Sequence, residues 1–125
     1  MGKVIYPQLS YKIIGILYKV YNKIGFGYQE KYYQRALKVE LEKQKIIFKE
    51  QFPISLRYDQ VNIGKYYIDF LIDNKIVLEL KTEERFYDRD YRQILSYLKS
   101  TKLKLGILAR FSKKGVYYRR ILNLY

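Results

Sequence analysis

Residues Lys65–Lys81 constrain the fold more than any other stretch. Lys65–Ile72 and Ile76–Lys81 are apolar runs separated by a turn around Asp73-Asn74, a pattern that predicts a β-hairpin. Each run contains an acid where apolar residues dominate: Asp69 in the first and Glu79 in the second, followed by Leu80 and Lys81. Side chains alternate across a strand. Ile68, Phe70 and Ile72 therefore share one face of the first strand, and Tyr67, Asp69 and Leu71 share the other. In the second strand, Val77, Glu79 and Lys81 share a face. A two-residue turn at Asp73-Asn74 would pair Asp69 with Leu78 and separate the acids. A three-residue loop, Asp73–Lys75, pairs Asp69 with Glu79 and Leu71 with Val77, as a bulge also would. We expect the arrangement that brings the acids together. Facing carboxylates repel unless something positive lies between them. Two readings stay open. The acids are solvated or bridged by Lys81, or they form an oxygen-lined cation site. Glu79, set within Ile76-Val77-Leu78-Glu79-Leu80, favours the second reading, because buried charges are rare unless paired or metal-bound.

Composition narrows the chemistry. The chain has 125 residues, no Cys and no His. Disulfides, thiolate zinc sites and iron–sulfur clusters are excluded, and so is a histidine general base. A metal here would sit among oxygens, which points to Mg²⁺ or Mn²⁺. The net charge is +13, from 25 Lys and Arg against 12 Asp and Glu. That balance points to an acidic partner, nucleic acid first, with an anionic membrane surface or an acidic protein as the rival. Tyr appears 16 times, which fits either AT-rich codon usage or rings kept for stacking on bases. The first residues, MGKVIYPQLS, carry no signal-peptide pattern, and no apolar run is long enough to span a bilayer. A single domain over 1–125, soluble and cytoplasmic, is expected.

The remaining periodicity gives an α-α-β-β-β-β-α-β order. Ile13, Ile14, Leu17, Tyr21 and Ile24 predict a helix from Ser10, its N-cap, to about Lys23. Gly25-Phe26-Gly27 ends it. A second helix runs from about Tyr28 to Gln44 with a stripe of Tyr33, Leu37 and Leu41. Ile46–Glu50 and Phe52–Tyr58 read as short strands broken near Pro53, and Asp59–Gly64 as a loop. Asp88–Ser100 is a third helix and Lys104–Phe111 a strand. Val116–Leu122 is ambiguous. Glu30 lies at the centre of the second helix's apolar stripe. It serves either as a dipole partner in the first turn or as a third acid aimed at the hairpin.

These residues also carry a resemblance. Gly27-x-x-Glu30-x-x-Tyr33, Asp69, Glu79-Leu80-Lys81 and Gln93-Ile94-Leu95-Ser96-Tyr97-Leu98-Lys99 together resemble the small prokaryotic GxxExxY proteins of the PD-(D/E)xK nuclease superfamily, over about Leu9 to Ile121. The Pro of the superfamily name is absent, and Ile68 stands in its place. The resemblance implies an α/β, restriction-endonuclease-like core with a central mixed four-stranded sheet flanked by helices. It implies that Asp69, Glu79 and the Leu80 carbonyl bind metal, with Glu30 reaching it directly or through water. It further implies that Lys81 orients the attacking water and that Gln93 is a polar catalytic position, although Gln93 is also placed to be merely solvated.

The expected function is a Mg²⁺- or Mn²⁺-dependent nuclease hydrolysing phosphodiesters, of DNA rather than RNA, in repair, recombination or defence. The alternatives are a silent nucleic-acid-binding module of the same fold and a basic domain for acidic protein or lipid. Arg57, Lys65, Arg85, Arg89, Arg92, Lys113, Lys114, Arg119 and Arg120 are candidate phosphate contacts. Tyr66, Tyr67 and Tyr87 are candidate stacking rings. Cutting both strands would favour a two-fold homodimer.

Overall fold

Pro7 opens the first helix one turn earlier than the sequence pattern suggests. In the computed structural model, which describes residues 4–124, α1 spans Pro7–Ile24 with Pro at its first turn. Proline suits that position, because the amide it lacks would have no helical partner and its φ is already helical. Ser10 is therefore not the N-cap. It is buried inside the first turn, hydrogen-bonded by the Arg120 guanidinium, which also donates to the Ile5 carbonyl at 2.9 Å.

Two glycines turn the chain into α2, Glu30–Lys43: Gly25 at φ 77° and Gly27 at φ 96°, backbone that other residues adopt only with strain. Tyr33 fixes this corner. Its hydroxyl donates to the Gly25 carbonyl at 2.6 Å, and its ring stacks on Phe111 at 4.3 Å.

The sheet has five strands, not four, in spatial order β1-β2-β3-β4-β5. β1 (Phe48–Tyr58) and β2 (Val61–Ile72) form a long antiparallel ribbon, and β3 is Ile76–Lys81. Helix α3 (Asp88–Thr101) carries the chain over to β4 (Leu105–Ser112), which runs parallel to β3. β5 (Gly115–Leu122) returns antiparallel along β4. The expected α-α-β-β-β-β-α-β order becomes α-α-β-β-β-α-β-β, through two corrections and one resolved ambiguity. The two short strands before Tyr58 are one, continuous through Pro53; Val61–Gly64 belongs to β2 and not to a loop; and the ambiguous Val116–Leu122 is a strand.

The hairpin register is the one expected from the three-residue loop. Ile72 pairs with Ile76, Leu71 with Val77 and Phe70 with Leu78. Asp73 and Asn74 take left-handed backbone (φ 52° and 53°), which lets the loop close.

Helices cover both faces. α1 and α2 pack on one side, over Phe70, Ile72, Ile76, Leu78 and Leu80. α3 packs on the other, over Ile54, Ile68, Val77 and Leu108. Ile68 thus lies on the opposite face from Phe70 and Ile72, against the simple alternation. The same change occurs across the ladder, where Phe48 packs toward α1 and α2 but Phe52 toward α3. Gln51 sits between them at φ 46°, and the regular pairing skips Gln51 and Asp69. This local departure from extended backbone swings both strands over. It occurs at Asp69.

α3 lies close to the sheet because residue 106 is glycine. A Cβ there would come within 2.5 Å of Ile94 Cγ2 and 3.8 Å of the Val77 carbonyl. Ile94 is β-branched and fully buried, so it has little freedom to move aside. Gly106→Ala is expected to destabilise the protein by about 1–3 kcal/mol in urea unfolding.

Candidate active site

The face change at Gln51 and Asp69 interrupts the ladder, and side chains take over its hydrogen bonds. The Asp69 N–H donates to Glu79 Oε1 at 3.0 Å, and the Leu80 N–H donates to Asp69 Oδ2 at 2.8 Å. The two carboxylates are thereby clamped across the fork between β2 and β3. Asp69 is 9% exposed and Glu79 6%. The sequence expectation that these acids meet is consistent with this geometry.

Both acids are held out of the ordinary carboxylate range. Burial is the main cause for Glu79, which is pushed up to about 8, with the neighbouring Asp69 charge adding to it. Burial also raises Asp69, opposed by the Leu80 N–H and by Lys81. Two buried carboxyls in contact repel once both are charged, a repulsion that a cation between them would relieve.

Three elements aim further groups at the pair. Lys81, at the end of β3, feels both acids and lies 3.7 Å from Asp90 Oδ1. Asp90, buried in the first turn of α3, also accepts the Tyr87 N–H at 3.2 Å. One carboxylate thus caps the helix and anchors the lysine. Glu30 begins α2, half-buried near the Thr82 backbone; burial raises it, opposed by the nearby Lys81 charge and reinforced by that of Asp69. Gln34, one turn along α2, lies close enough to Asp69 to favour its charged form. Tyr97 of α3 is buried beside the pair, and burial followed by the Glu79 and Asp69 charges pushes its hydroxyl upward.

Asp90, Gln34 and Tyr97 were not read from the sequence as site residues. Gln34 was the most legible of them, since it lies four positions after Glu30 on the same helical face. Asp90 resembles an ordinary first-turn acid, and Tyr97 an ordinary core ring.

The donor set fits a hard divalent cation. Its ligands would be the paired oxygens of Asp69 and Glu79, with the Leu80 peptide fixed beside them. Glu30 is a neighbour of the pair but not a member of it: among the described residues, no three acidic side chains meet at metal-ligand separation.

The basic residues divide into groups. Lys81, Arg89, Arg92 and Gln93 line a cleft of about 520 Å³ together with Tyr66, Asp90 and Ser96. Arg85 and Arg89 sandwich the Tyr87 ring, 4.7 and 4.5 Å from its centre, and Arg89 also pairs with Glu83 at 2.5 Å. Arg57 lies in a second cavity, between β1 and the end of α3. Lys65 is exposed on the ribbon, where it pairs with Ser55. Tyr67, also on the ribbon, is 53% exposed. Lys113 and Lys114 sit at the β4–β5 turn, where Tyr21 donates to the Ser112 carbonyl at 2.6 Å. Arg119 covers Phe86. Arg120 is tied to Ser10 and Ile5, which makes it a structural staple instead of the phosphate contact the sequence suggested. No helix among the described residues is long and apolar enough to cross a membrane.

The fold is shared with solved structures. An alkaline exonuclease, LHK-Exo, from Laribacter hongkongensis superposes with a TM-score of 0.56 at 11% identity, covering 98% of this chain and 72% of that one. The crystal structure of SSO0001 superposes with a TM-score of 0.52 at 18% identity over 74% of this chain, which spans 50% of its length. No curated protein matches. The sequence profile described as PD-(D/E)XK nuclease superfamily matches residues 7–121, a span that includes every element supplying the clamped acids, the lysine and their neighbours. On that match this chain, with its α/β fold and five-stranded mixed sheet, belongs to the PD-(D/E)XK nuclease superfamily.

Proposed function

We propose that this chain is a divalent-metal-dependent nuclease that hydrolyses phosphodiester bonds of DNA. The observation that carries the reading is the clamp itself. Two buried carboxylates are held together by backbone N–H groups, and the ammonium that acts on both also lines an open basic cleft. A fold has little reason to force two acids together in that way without a cation to receive.

Asp69 and Glu79 would hold Mg²⁺ or Mn²⁺, with the Leu80 carbonyl as a further ligand. When bound, the cation would act as a Lewis acid on the phosphate and lower the pKa of a coordinated water. Lys81, braced by Asp90, is placed to hold the attacking water or a phosphate oxygen by hydrogen bonding. Glu30 and Gln34 approach the acids from α2, where Glu30 could reach the cation directly or through water, and Gln93 lines the cleft from α3. Tyr97, Ile68 and Val77 close the rear of the site to water.

The Gly27, Glu30 and Tyr33 geometry supports placing the chain among the GxxExxY proteins. The glycine makes the corner, the glutamate faces the site, and the tyrosine locks the turn to Gly25. The core shared by all five strands supports a single nuclease domain.

The test is incubation with supercoiled, linear, single-stranded and branched DNA in Mg²⁺ or Mn²⁺, beside Asp69→Ala and Glu79→Ala. Cutting by the wild type alone supports the reading. Salt-sensitive binding without cutting by any variant would establish a silent binding module instead. Neither binding nor cutting would point to an acidic protein or lipid partner.

A further inference from the structure

The cleft beside Lys81 does not end at Ser96. A second cavity of about 320 Å³ lies between the base of the ribbon and the last turns of α3, lined by Phe52, Ile54, Arg57, Ser100 and Thr101 among others. The two abut. Tyr66 borders the first and pairs across the ladder with Ile54, which borders the second. Ser96 borders the first, and one helical turn later Ser100 borders the second. Together they make a trough along α3 from Arg89 to Ser100, about 17 Å at 1.5 Å per residue.

Its chemistry is consistent along its length. Lys81 and Arg89 stand at the catalytic end, Arg92 on the helix wall and Arg57 on the ribbon wall. Hydroxyls of Ser96, Ser100 and Thr101 lie between them. The rings of Tyr66 and Phe52 form apolar steps, and Tyr66 is held edge-on by Tyr97 at 5.7 Å.

Arg57 lies beside an irregularity of the ribbon. Leu56 pairs with Gly64 but Arg57 pairs with Asn62, so β2 carries one extra residue, Ile63. Such a bulge re-aims the side chains around it. The cavity takes side chains from both parities of β1, Pro53, Ser55 and Arg57 as well as Phe52 and Ile54, because it lies at the strand's edge and not under one face.

We propose that this trough is a track for a single DNA strand, delivering the phosphodiester to Asp69 and Glu79. This rests on the nuclease reading and narrows its substrate to single-stranded or unpaired DNA. A basic groove with interleaved rings suits an unpaired backbone with exposed base faces.

The test is fluorescence anisotropy on the full chain in EDTA, with labelled oligo(dT) and a blunt duplex of equal length. The wild type is expected to prefer oligo(dT) by about tenfold or more. Ser96→Trp, which blocks the trough where the cavities meet, is expected to weaken oligo(dT) binding at least tenfold at unchanged melting temperature. Arg57→Glu, on the exposed ribbon, provides a second variant that leaves the core untouched. It is expected to lower the salt slope for oligo(dT) by about 0.7, one phosphate contact on a single strand. Equal binding of both DNAs, or oligo(dT) binding unchanged in both variants, would overturn the track. The two readings separate when Mg²⁺ or Mn²⁺ is added. Selective binding of oligo(dT) without cutting leaves the track standing and removes the nuclease. Cutting of single strands by Ser96→Trp at the wild-type rate leaves the nuclease and removes the track.

Discussion

Asp69→Asn and Glu79→Gln are each expected to slow DNA cutting in Mg²⁺ or Mn²⁺ by about 10³-fold or more, equivalent to at least about 4 kcal/mol of barrier. Both substitutions keep the shape of the side chain and an acceptor oxygen. The Asp69 N–H can still bond residue 79, and the Leu80 N–H can still bond residue 69. The clamp therefore survives while half of its negative charge is lost. A loss of rate with retained circular dichroism would assign the effect to charge at the cation site and not to folding. Single-turnover cleavage of an end-labelled oligonucleotide measures it. Rates within tenfold of wild type would remove these acids from the chemistry.

The same substitutions are expected to stabilise the metal-free protein. Glu79 rises from 4.5 to about 8 on folding, chiefly through burial, and Asp69 moves in the same direction. A carboxyl raised in this way binds its proton more tightly when folded than when unfolded. The stability it contributes is fully present below about pH 4.5 and is lost as pH rises through about 8. Metal-free wild type should therefore melt progressively lower across that window. Glu79→Gln removes the buried charge and should flatten the profile, gaining on the order of 3 kcal/mol at pH 8, or about 10 °C in melting temperature. Near pH 4.5 the two proteins should melt together. Millimolar Mg²⁺ or Mn²⁺ should recover the lost stability of the wild type at pH 8 and leave Glu79→Gln unmoved. Differential scanning calorimetry across pH, with and without metal, reads all of these. A wild type that melts higher at pH 8 than at pH 5 without metal would contradict the account.

Legibility in the sequence followed burial. The hairpin register could be read because both strands have a buried face, and a slip of one residue would expose Phe70, Leu78 and Ile76. The same logic places Asp69 opposite Glu79. It failed on the outer ribbon, where Val61–Ile63 are all exposed and leave no alternation to read. It failed again in β5, where Tyr117-Tyr118-Arg119-Arg120 blurs the period. The face change at Gln51 and Asp69 was hidden for a different reason. A left-handed Gln has no local signature, and its cause is the tertiary demand that β1 and β2 serve two helix layers at once. Glu30 was found by its position on an apolar stripe. Its separation from the paired acids depends on where α2 begins, which helical period does not fix. Asp90 was missed because its two roles, capping α3 and holding Lys81, become distinguishable only once β3 and α3 are placed side by side.

The most direct measurement is anomalous diffraction from crystals of the wild type soaked in Mn²⁺, beside crystals of Glu79→Gln. The account predicts a manganese peak between Asp69 and Glu79, next to the Leu80 carbonyl and within reach of Lys81, and its loss in the variant. A clamp that stays empty in Mn²⁺, or a metal bound elsewhere while DNA is still cut, would contradict it.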